Sequence, residues 1–566
     1  MPTAAALIAV PLVPLVAAVA IATLRPTGDL AGRWAIGASA VASIAAIVLL
    51  GAAAGGPVEA ILESDDGQAL VGLIADRVTS VLALLTAGVG LVVQSFSRRA
   101  LAGDPRAARF FALSSVLTAA TACAALAATG SGFVLGWIVT GVSLSALVAH
   151  RAGWQPAERA RRRVRRSFML GDAGLVLALA LAATVVGDLD LRTVEREAAV
   201  LAGADAPIPG TGDALVVIAV LLVIAGMARS AIIPFHRWLP ATLAGPTPTS
   251  ALLHAGVVNG AGILLVRFAP IFGTSPLATH LAFSLGAVTA VVATAVMLIR
   301  ADVKGNLVWS TAGQMGFMVV QCAVGAFSAA LFHLVGHGLY KAALFLGSGN
   351  AISAHLEHRR QQHTESRMGV ALRRGVAFAL PPAGLLLAYR IVDLDLDAAG
   401  DMLVIVFAWA TATRALRGWL DAAPLRTAAT LAMGAASVAL TSLGYVAGLA
   451  AFKHFVEPAL PATVSGAVSP TVLAATLVIL TLGIAGFQLV PGRTGQTMRR
   501  RLYTQLLATS APVPFGVRAP RGSRVRNLGG RRHASPADRR HRAIAPTRET
   551  ARRSGDDHRR RDDLDA

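Results

Sequence analysis

Long apolar stretches alternate with short polar segments along most of the chain. The apolar stretches lie at residues 4–24, 34–54, 70–96, 110–128, 133–149, 168–187, 214–235, 249–270, 280–299, 306–323, 327–349, 373–391, 402–416, 427–450 and 470–490. A helix of about 20 apolar residues is long enough to cross the hydrocarbon core of a bilayer. The pattern therefore predicts an all-α polytopic membrane protein with about 14–15 transmembrane helices.

The charged residues between these stretches change sign from one loop to the next. Basic loops contain Arg98, Arg99, Arg106 and Arg109; the arginines of residues 159–166; Lys304; Arg359, Arg360, Arg373 and Arg374; and Arg414 and Arg417. Acidic loops contain Glu59, Glu63, Asp65 and Asp66; Asp188, Asp190, Glu195 and Glu197; and Asp393, Asp395, Asp397 and Asp401. Because basic loops stay in the cytoplasm, we expect a multi-pass protein of the bacterial inner membrane with its N-terminus outside.

Composition supports the membrane interpretation. Of the 566 residues, 55% are hydrophobic and only 14% are charged, which is not the composition of a soluble multidomain protein. The first apolar run, Ala4–Leu24, lacks a basic start and is long enough to span, so no cleavable signal peptide is expected. Cys123 and Cys322 both lie in apolar stretches, so we expect neither a disulfide nor a metal site.

The chain divides into a membrane domain, residues 1–491, and a basic tail, residues 492–566. The tail holds 19 arginines against 7 acidic residues, and from about residue 505 it has no apolar periodicity. Such a composition predicts a disordered cytoplasmic segment that contacts anionic lipid or a protein partner, and we expect no nucleic-acid partner. A second interpretation stays open, in which the tail is non-native sequence from a shifted reading frame.

Within the stretch at 327–349, the sequence FHLVGHGLYK places three titratable residues four positions apart. At 100° per residue, His333, His337 and Lys341 drift by only about 40° per step, so they form one stripe on a helix. Only three of the 51 basic residues are lysines, and a buried lysine can lose its proton whereas arginine effectively cannot. The stripe therefore predicts a proton relay; the alternative is a polar stripe that only packs helices.

Three ordered motifs give the chain a family resemblance: Met227–Phe272, Asp302–Met318 and His333–Gly349. Together they resemble the antiporter-like subunits of respiratory complex I and of multisubunit cation/proton antiporters. The resemblance implies inverted repeats and discontinuous helices. Pro246 and Pro248, in GPTPTS, are accordingly predicted to break a helix just ahead of the next span.

Within that superfamily, residues 70–370 resemble the membrane subunits, DabB, of DAB-type inorganic carbon pumps. The similarity is carried by HAGVVNGAG, by SRRALAGDPRAARFF and by GWIVTGVSLSALVAH with the arginine-rich sequence after it. It implies a complex with a large peripheral subunit, DabA, whose zinc site turns CO2 into bicarbonate. The flow of H⁺ or Na⁺ through the membrane subunit would drive that reaction. The chain itself would be a transporter subunit and not an enzyme, without cofactor or metal.

The resemblance implies a relay of four residues and two charge-tuning residues. The relay positions fall on His254, His333, His337 and Lys341. Arg229 stands where the superfamily has a lysine, and it is expected to be a fixed charge that tunes its neighbours.

Two further departures concern the same half of the molecule. Asp172 matches a superfamily aspartate, but Met169 replaces the arginine of that pattern, and Ile138 stands where respiratory subunits carry a glutamate. A complete respiratory-type proton channel is therefore not expected in this half. Whether Asp172 has a transport role or forms a structural ion pair, with Arg229 or with loop arginines, stays open.

Two other functions compete with the carbon-pump subunit. One is a proton-translocating subunit of NADH:quinone oxidoreductase or of a multisubunit cation/proton antiporter, which the missing glutamate and lysine disfavour. The other is a scaffold that only anchors a peripheral enzyme, which has no need of buried titratable groups.

Overall fold

A computed structural model describes residues 2–65, 69–187, 190–203, 211–273, 275–300, 302–350, 367–392 and 428–460, and a few isolated residues beyond 400. The ranges above belong to one compact unit, Met1–Pro514. The apolar stretches predicted at 402–416 and 470–490 lie almost entirely outside the described residues. The basic tail from residue 492 also lies outside them, apart from Thr504.

Helices make up nearly all of the described structure. In chain order they are α1 Pro2–Leu24, α2 Gly28–Ala53, α3 Arg77–Ala100, α4 Ala107–Leu126, α5 Gly130–Val148, α6 Gln155–Val186, α7 Leu191–Gly203, α8 Thr211–Arg229, α9 Trp238–Ala241, α10 Thr247–Ala255, α11 Gly260–Arg267, α12 Ala269–Phe272, α13 Pro276–Ile299, α14 Val303–Ala323, α15 Phe327–Gly347, α16 Arg367–Val392 and α17 Ala428–Val456. Short 3₁₀ turns lie at Phe235–Arg237, Thr242–Ala244, Val257–Asn259, Ser348–Asn350 and Glu457–Ala459.

Among the described residues, eleven segments are long and apolar enough to cross a membrane. α14 and α16 occupy two more of the stretches read from the sequence. The predicted class, a helical polytopic membrane protein, is confirmed.

One departure from helix is a β-hairpin. β1, Val58–Glu63, pairs antiparallel with β2, Ala69–Ala75, with Val58 opposite Ala75. The prediction of one helix over 70–96 was therefore wrong at its start, because a short apolar run does not distinguish a strand from a helix. The helix begins only after Asp76, whose carboxylate accepts the N–H groups of Val78 and Thr79 and caps α3.

Two segments that the sequence analysis treated as loops are also helical. The arginines of residues 159–166 lie in the first turns of α6, which begins at Gln155, thirteen residues before the predicted span. Part of the acidic segment after it forms α7. Charge alone had marked both as loops, but arginine and glutamate are good helix formers and α7 is amphipathic.

Contacts between loops sort them onto two faces of the molecule. On the hairpin face, Leu73 bridges to Ala127, Thr129 bridges to Asp190, and the Arg192 guanidinium lies 2.6 Å from Glu59. The opposite face carries contacts between basic loops, such as the His150 Nε2 to Asp104 Oδ2 contact of 3.0 Å and the Arg98 to Asp29 contact of 2.6 Å. The acidic loops that the structure describes thus share one face and the basic loops the other.

The segment Thr247–Arg267, which contains α10 and α11, lies at the centre of the fold. Its apolar window is 88% buried inside the protein, against 33% for α1 and 28% for α6. α10 packs on α3 and α15, and α11 packs on α8 and α14. The central position gives this segment contact with both polar sites described below.

Candidate functional site: two polar sites in the membrane interior

The central span is interrupted next to His254. α10 ends at Ala255, Gly256 leaves the helical conformation with φ −123° and ψ −71°, and a 3₁₀ turn precedes α11. Pro246 and Pro248 lie where α10 begins, a position that tolerates proline because its N–H groups have no helical partner. The helix break predicted at the prolines therefore coincides with the N-terminal end of α10. The interruption inside the span, at Gly256, was not predicted.

Four residues form what we call the histidine–lysine site: His254 on α10 and His333, His337 and Lys341 on α15. The ring centroids of His333 and His337 are 6.2 Å apart, and those of His337 and His254 are also 6.2 Å apart. The four residues predicted as a relay are thus brought together. Their assignment as a relay remains a prediction.

The ends of this row contact polar groups of α14. Lys341 Nζ donates to the hydroxyl of Ser310 and, at 3.5 Å, to the carbonyl oxygen of Leu307. At the other end, His333 Nδ1 lies 2.9 Å from the side-chain oxygen of Gln321. Both acceptors of Lys341 are neutral oxygens, which solvate an ammonium group without holding it in a fixed ion pair.

Burial makes these groups unusual. His254, His337 and Lys341 are 0%, 4% and 2% exposed. In the described part of the chain no carboxylate forms an ion pair with Lys341, and neither ring nitrogen of His254 or His337 has a hydrogen-bond partner. Buried polar groups are usually satisfied, and ionisable groups inside a membrane usually mark an ion or proton path. The burial of unpartnered titratable groups is consistent with the predicted relay, which the contacts themselves do not test.

Sequence reasoning missed two polar partners and one packing partner of this site. Ser310 and Gln321 are eleven residues apart on α14, a spacing that brings their side chains within about 20° of each other around the helix axis. Both therefore lie on the face of α14 that meets α15. That spacing could have identified them. Phe345, stacked on His254 with centroids 4.5 Å apart and planes 10° apart, had no such signal, since a phenylalanine in an apolar helix is normally core.

Arg229, at the end of α8, forms a second site, which we call the arginine–aspartate site. Its Nη2 donates to Asp172 Oδ1 at 2.8 Å and to the carbonyl oxygen of Trp137 at 2.9 Å. The guanidinium carbon lies 4.5 Å from the ring centroid of Trp137 and 4.3 Å from that of Phe168. Of the pairings left open for Asp172, the structure shows the one with Arg229.

Two glycines, Gly141 and Gly260, allow the backbone to approach this arginine closely. A Cβ atom added at Gly260 would lie 2.5 Å from Arg229 Cγ, and one added at Gly141 would lie 2.6 Å from Nη1. Ile138, next to Trp137 on α5, is half-buried and supplies no carboxylate. Because arginine keeps its proton, the site can hold a fixed charge but cannot carry a proton.

A small cavity lies beside Arg229. It has a volume of about 30 Å³, and Thr121, Thr140, Trp137, Arg229 and Gly256 are among the residues that line it. A volume of roughly 10–15 Å³ is enough for one water molecule, so the cavity has room for about two. Gly256, two residues after His254 in the chain, thus lines the same cavity as Arg229.

Comparison with known proteins agrees with this architecture. The family model described as "NADH:quinone oxidoreductase/Mrp antiporter, TM" matches residues 127–370. The solved "Structure of Mrp complex from Dietzia sp. DQ12-45-1b" aligns with a TM-score of 0.58 and 24% identity, covering 88% of this chain and 59% of that chain, and so supports the fold alone.

Among curated relatives, "Probable inorganic carbon transporter subunit DabB1" of Halothiobacillus neapolitanus is 34% identical over 402 residues, 68% of this chain and 71% of the relative. The Bacillus subtilis DabB protein is 34% identical, and the alignment covers 58% of this chain and 65% of that protein. "NADH-ubiquinone oxidoreductase chain 5" of Metridium senile is 32% identical over 52% of this chain and 48% of its own length.

Fold, interrupted central span and relatives together define an antiporter-like membrane transporter subunit. Within that class, the chain belongs to the DabB family.

Proposed function

We propose that the chain is the ion-conducting membrane subunit of an inorganic carbon pump. In this proposal, ion flow through the chain powers the conversion of CO2 to bicarbonate by a large peripheral zinc subunit of the DabA type. The observation that carries the proposal is the row of His333, His337 and Lys341 on α15, with His254 beside His337; His254, His337 and Lys341 are buried and His333 is half-buried. A scaffold would not need titratable groups at the centre of its span.

The ligand chemistry of the row favours the proton over Na⁺ as the coupling ion. The row offers imidazole nitrogens and an amine, and the oxygens at its ends already accept from Lys341 or contact His333. A hard cation such as Na⁺ prefers several oxygen ligands around one point. Imidazole and amine groups instead exchange protons, so we assign H⁺.

The proposal assigns CO2 hydration to the partner. Hydration requires a strongly activated water, which a zinc ion supplies by lowering the pKa of the water bound to it. No group of three or more His, Cys, Asp or Glu residues is placed to hold a metal in the described ranges. The chain would contribute the ion path and the partner the zinc chemistry.

The charge distribution supports an orientation. The face with the basic loops would be cytoplasmic, and the hairpin face, with its acidic loops, would be outside together with the N-terminus. α15 then runs from outside to inside, so His333 lies nearer the outer face and Lys341 nearer the cytoplasm.

A proton-translocating subunit of an oxidoreductase or cation/proton antiporter is the second candidate, because the family model covers those proteins as well. Against it stands the arginine–aspartate site, in which arginine replaces the lysine of the superfamily pattern and no glutamate follows Trp137. Demonstrable Na⁺/H⁺ exchange by the chain in vesicles would favour this candidate.

The test is growth in air of bacterial cells that lack carbonic anhydrase. Co-expression of the chain with its large peripheral partner should restore growth, and an uncoupler that collapses the proton gradient should stop bicarbonate accumulation. The chain alone should not rescue. Rescue by the chain alone, or none with both proteins correctly expressed, would contradict the proposal.

A further inference from the structure

The N-terminal part of α6 carries a cluster of arginines that neither polar site uses. α6 begins at Gln155, and Arg159, Arg162, Arg163 and Arg166 follow at positions i, i+3, i+4 and i+7. At 100° per residue these four positions fall within a sector of about 100° on one side of the helix. All four side chains are exposed. We call these four residues the arginine stripe.

The opposite side of this helical segment is anchored in the protein. Ala160 and Val164 are buried, and α6 packs on α9 and on the 3₁₀ turn Thr242–Ala244. Just after the stripe, Phe168 meets Trp238 edge to face, with ring centroids 4.7 Å apart. The arginine stripe therefore belongs to the folded helix bundle, which holds its four side chains at a fixed spacing.

The arginine stripe forms no ion pair with any residue that the structure describes. Glu158, next to the stripe in the sequence, lies 3.9 Å from Arg161 instead. The other described carboxylates of the basic face are paired elsewhere: Asp29 with Arg33 and Arg98, Asp104 with His150, and Asp302 with Arg300. Like charges four positions apart on a helix repel each other and destabilise it. An anion from outside the chain would relieve this repulsion.

The same side of α6 continues into the apolar surface of the membrane domain. Met169, Leu170 and Leu177 are exposed and follow the stripe at helical spacing. At 1.5 Å per residue, Arg166 lies about 4.5 Å and Arg162 about 10 Å beyond Met169 along the helix axis. The headgroup layer of one leaflet is roughly 5–8 Å thick, and its charge acts over a further Debye length of about 8 Å. The arginine stripe is therefore level with the phosphates of one leaflet.

We propose that the arginine stripe is a binding site for anionic phospholipid. Guanidinium groups donate paired hydrogen bonds to phosphate oxygens, and basic clusters beside a membrane span attract anionic lipid. The acyl chains would lie along Met169 and Leu170, so a phospholipid matches both the charge and the adjoining apolar surface. The site does not depend on the pump, and only its assignment to the cytoplasmic leaflet rests on the proposed orientation.

The test is native mass spectrometry of the purified full-length chain, in non-ionic detergent and together with any partner that co-purifies. Dioctanoyl phosphatidylglycerol and dioctanoyl phosphatidylcholine are titrated separately. The wild type should bind phosphatidylglycerol about tenfold more tightly or better, and the double variant Arg162→Gln with Arg166→Gln should raise that dissociation constant about 10- to 30-fold. The double variant Arg162→Lys with Arg166→Lys keeps both charges and should stay within about threefold of the wild type.

The matched control is the double variant Arg25→Gln with Arg99→Gln. Both arginines are exposed on the basic face, Arg25 just after α1 and Arg99 in the last turn of α3, so the control loses the same charge away from α6. The basic tail from residue 492 is present in every variant, so any lipid that it binds is common to all. Thermal unfolding and gel filtration of each variant establish that the fold is intact.

Three results would overturn the proposal. Equal affinity of the wild type for the two lipids, or equal affinity of the two glutamine double variants for phosphatidylglycerol, would overturn the site. Displacement of phosphatidylglycerol by an equal concentration of glycerol 3-phosphate would show that a free phosphate is the ligand. Loss of a co-purifying partner from the Arg162 and Arg166 glutamine variant, with its lipid affinity unchanged, would assign the arginine stripe to a protein surface instead.

Discussion

The histidine–lysine site and the arginine–aspartate site stabilise their cations differently. Lys341 donates to a hydroxyl and a carbonyl oxygen, both neutral, and its neighbours along the row are imidazoles. Arg229 is held by a carboxylate, a carbonyl oxygen and two aromatic faces. The neutral oxygens around Lys341 can accommodate the side chain both with and without its proton, whereas the carboxylate of Asp172 holds Arg229 in its charged form.

The difference suggests a division of roles between the two halves of the membrane domain. A proton carrier must be stable both with and without its charge, and neutral ligands allow that. A fixed cation with its own counter-ion can instead set the potential in which the carrier works.

Lys341→Ala removes the group that is proposed to gain and lose a proton. We expect loss of bicarbonate accumulation to background in cells that also express the partner, with normal membrane insertion. Isotope uptake and the amount of protein in the membrane fraction measure the two effects. Lys304→Ala is the control, because Lys304 is exposed and donates to the hydroxyl of Thr247 on the basic face. Normal uptake by Lys341→Ala would show that transport does not depend on a protonatable group at the histidine–lysine site.

Arg229→Ala tests the fixed charge. It leaves the half-buried Asp172 without its partner, and breaking such a pair costs about 3–5 kcal/mol. Arg229→Lys keeps the ion pair but loses the carbonyl contact and the stacking on Trp137 and Phe168, so we expect transport to persist with stability lower by about 1 kcal/mol. Unfolding of the purified variants in detergent checks both values. Full stability and activity of Arg229→Ala would show that the pair is peripheral.

Gly260→Ala tests how tightly the arginine is enclosed. The added Cβ would overlap Arg229 Cγ, so we expect destabilisation by about 1–3 kcal/mol. Gly37→Ala is the matched control, since a Cβ at that helical position meets no atom within 4 Å. Equal unfolding temperatures of the two variants would mean that Arg229 moves aside easily.

Gln321→Leu has the smallest expected effect. It removes the acceptor 2.9 Å from His333 Nδ1. One neutral hydrogen bond is worth about 0.5–1.5 kcal/mol, so uptake should fall by roughly two- to tenfold. Gln314→Leu, on the same helix, is the comparison. If the two variants reduce uptake equally, the contact with His333 has no special role.

Much of this arrangement was predictable because it depends on local periodicity. The stripe of His333, His337 and Lys341 follows from helical spacing alone. The spans follow from apolar length. The β2 strand was missed because an apolar run of seven residues fits a strand or a helix equally well.

Other features depend on tertiary contacts that no local pattern carries. The interruption at Gly256 leaves His254 facing α15, with its ring stacked on Phe345. The two aromatic faces around Arg229 come from α5 and α6, about 90 and 60 residues earlier in the chain. A single sequence shows each of these residues but not their proximity.

The most direct measurement is proton flux into liposomes that contain the purified complex, followed with a pH-sensitive dye after a membrane potential is imposed. The wild type and Arg229→Lys should conduct protons. Lys341→Arg should not, because arginine keeps the charge but does not release the proton. Conduction by Lys341→Arg at the wild-type rate would contradict the account, since the site would then need only a fixed cation.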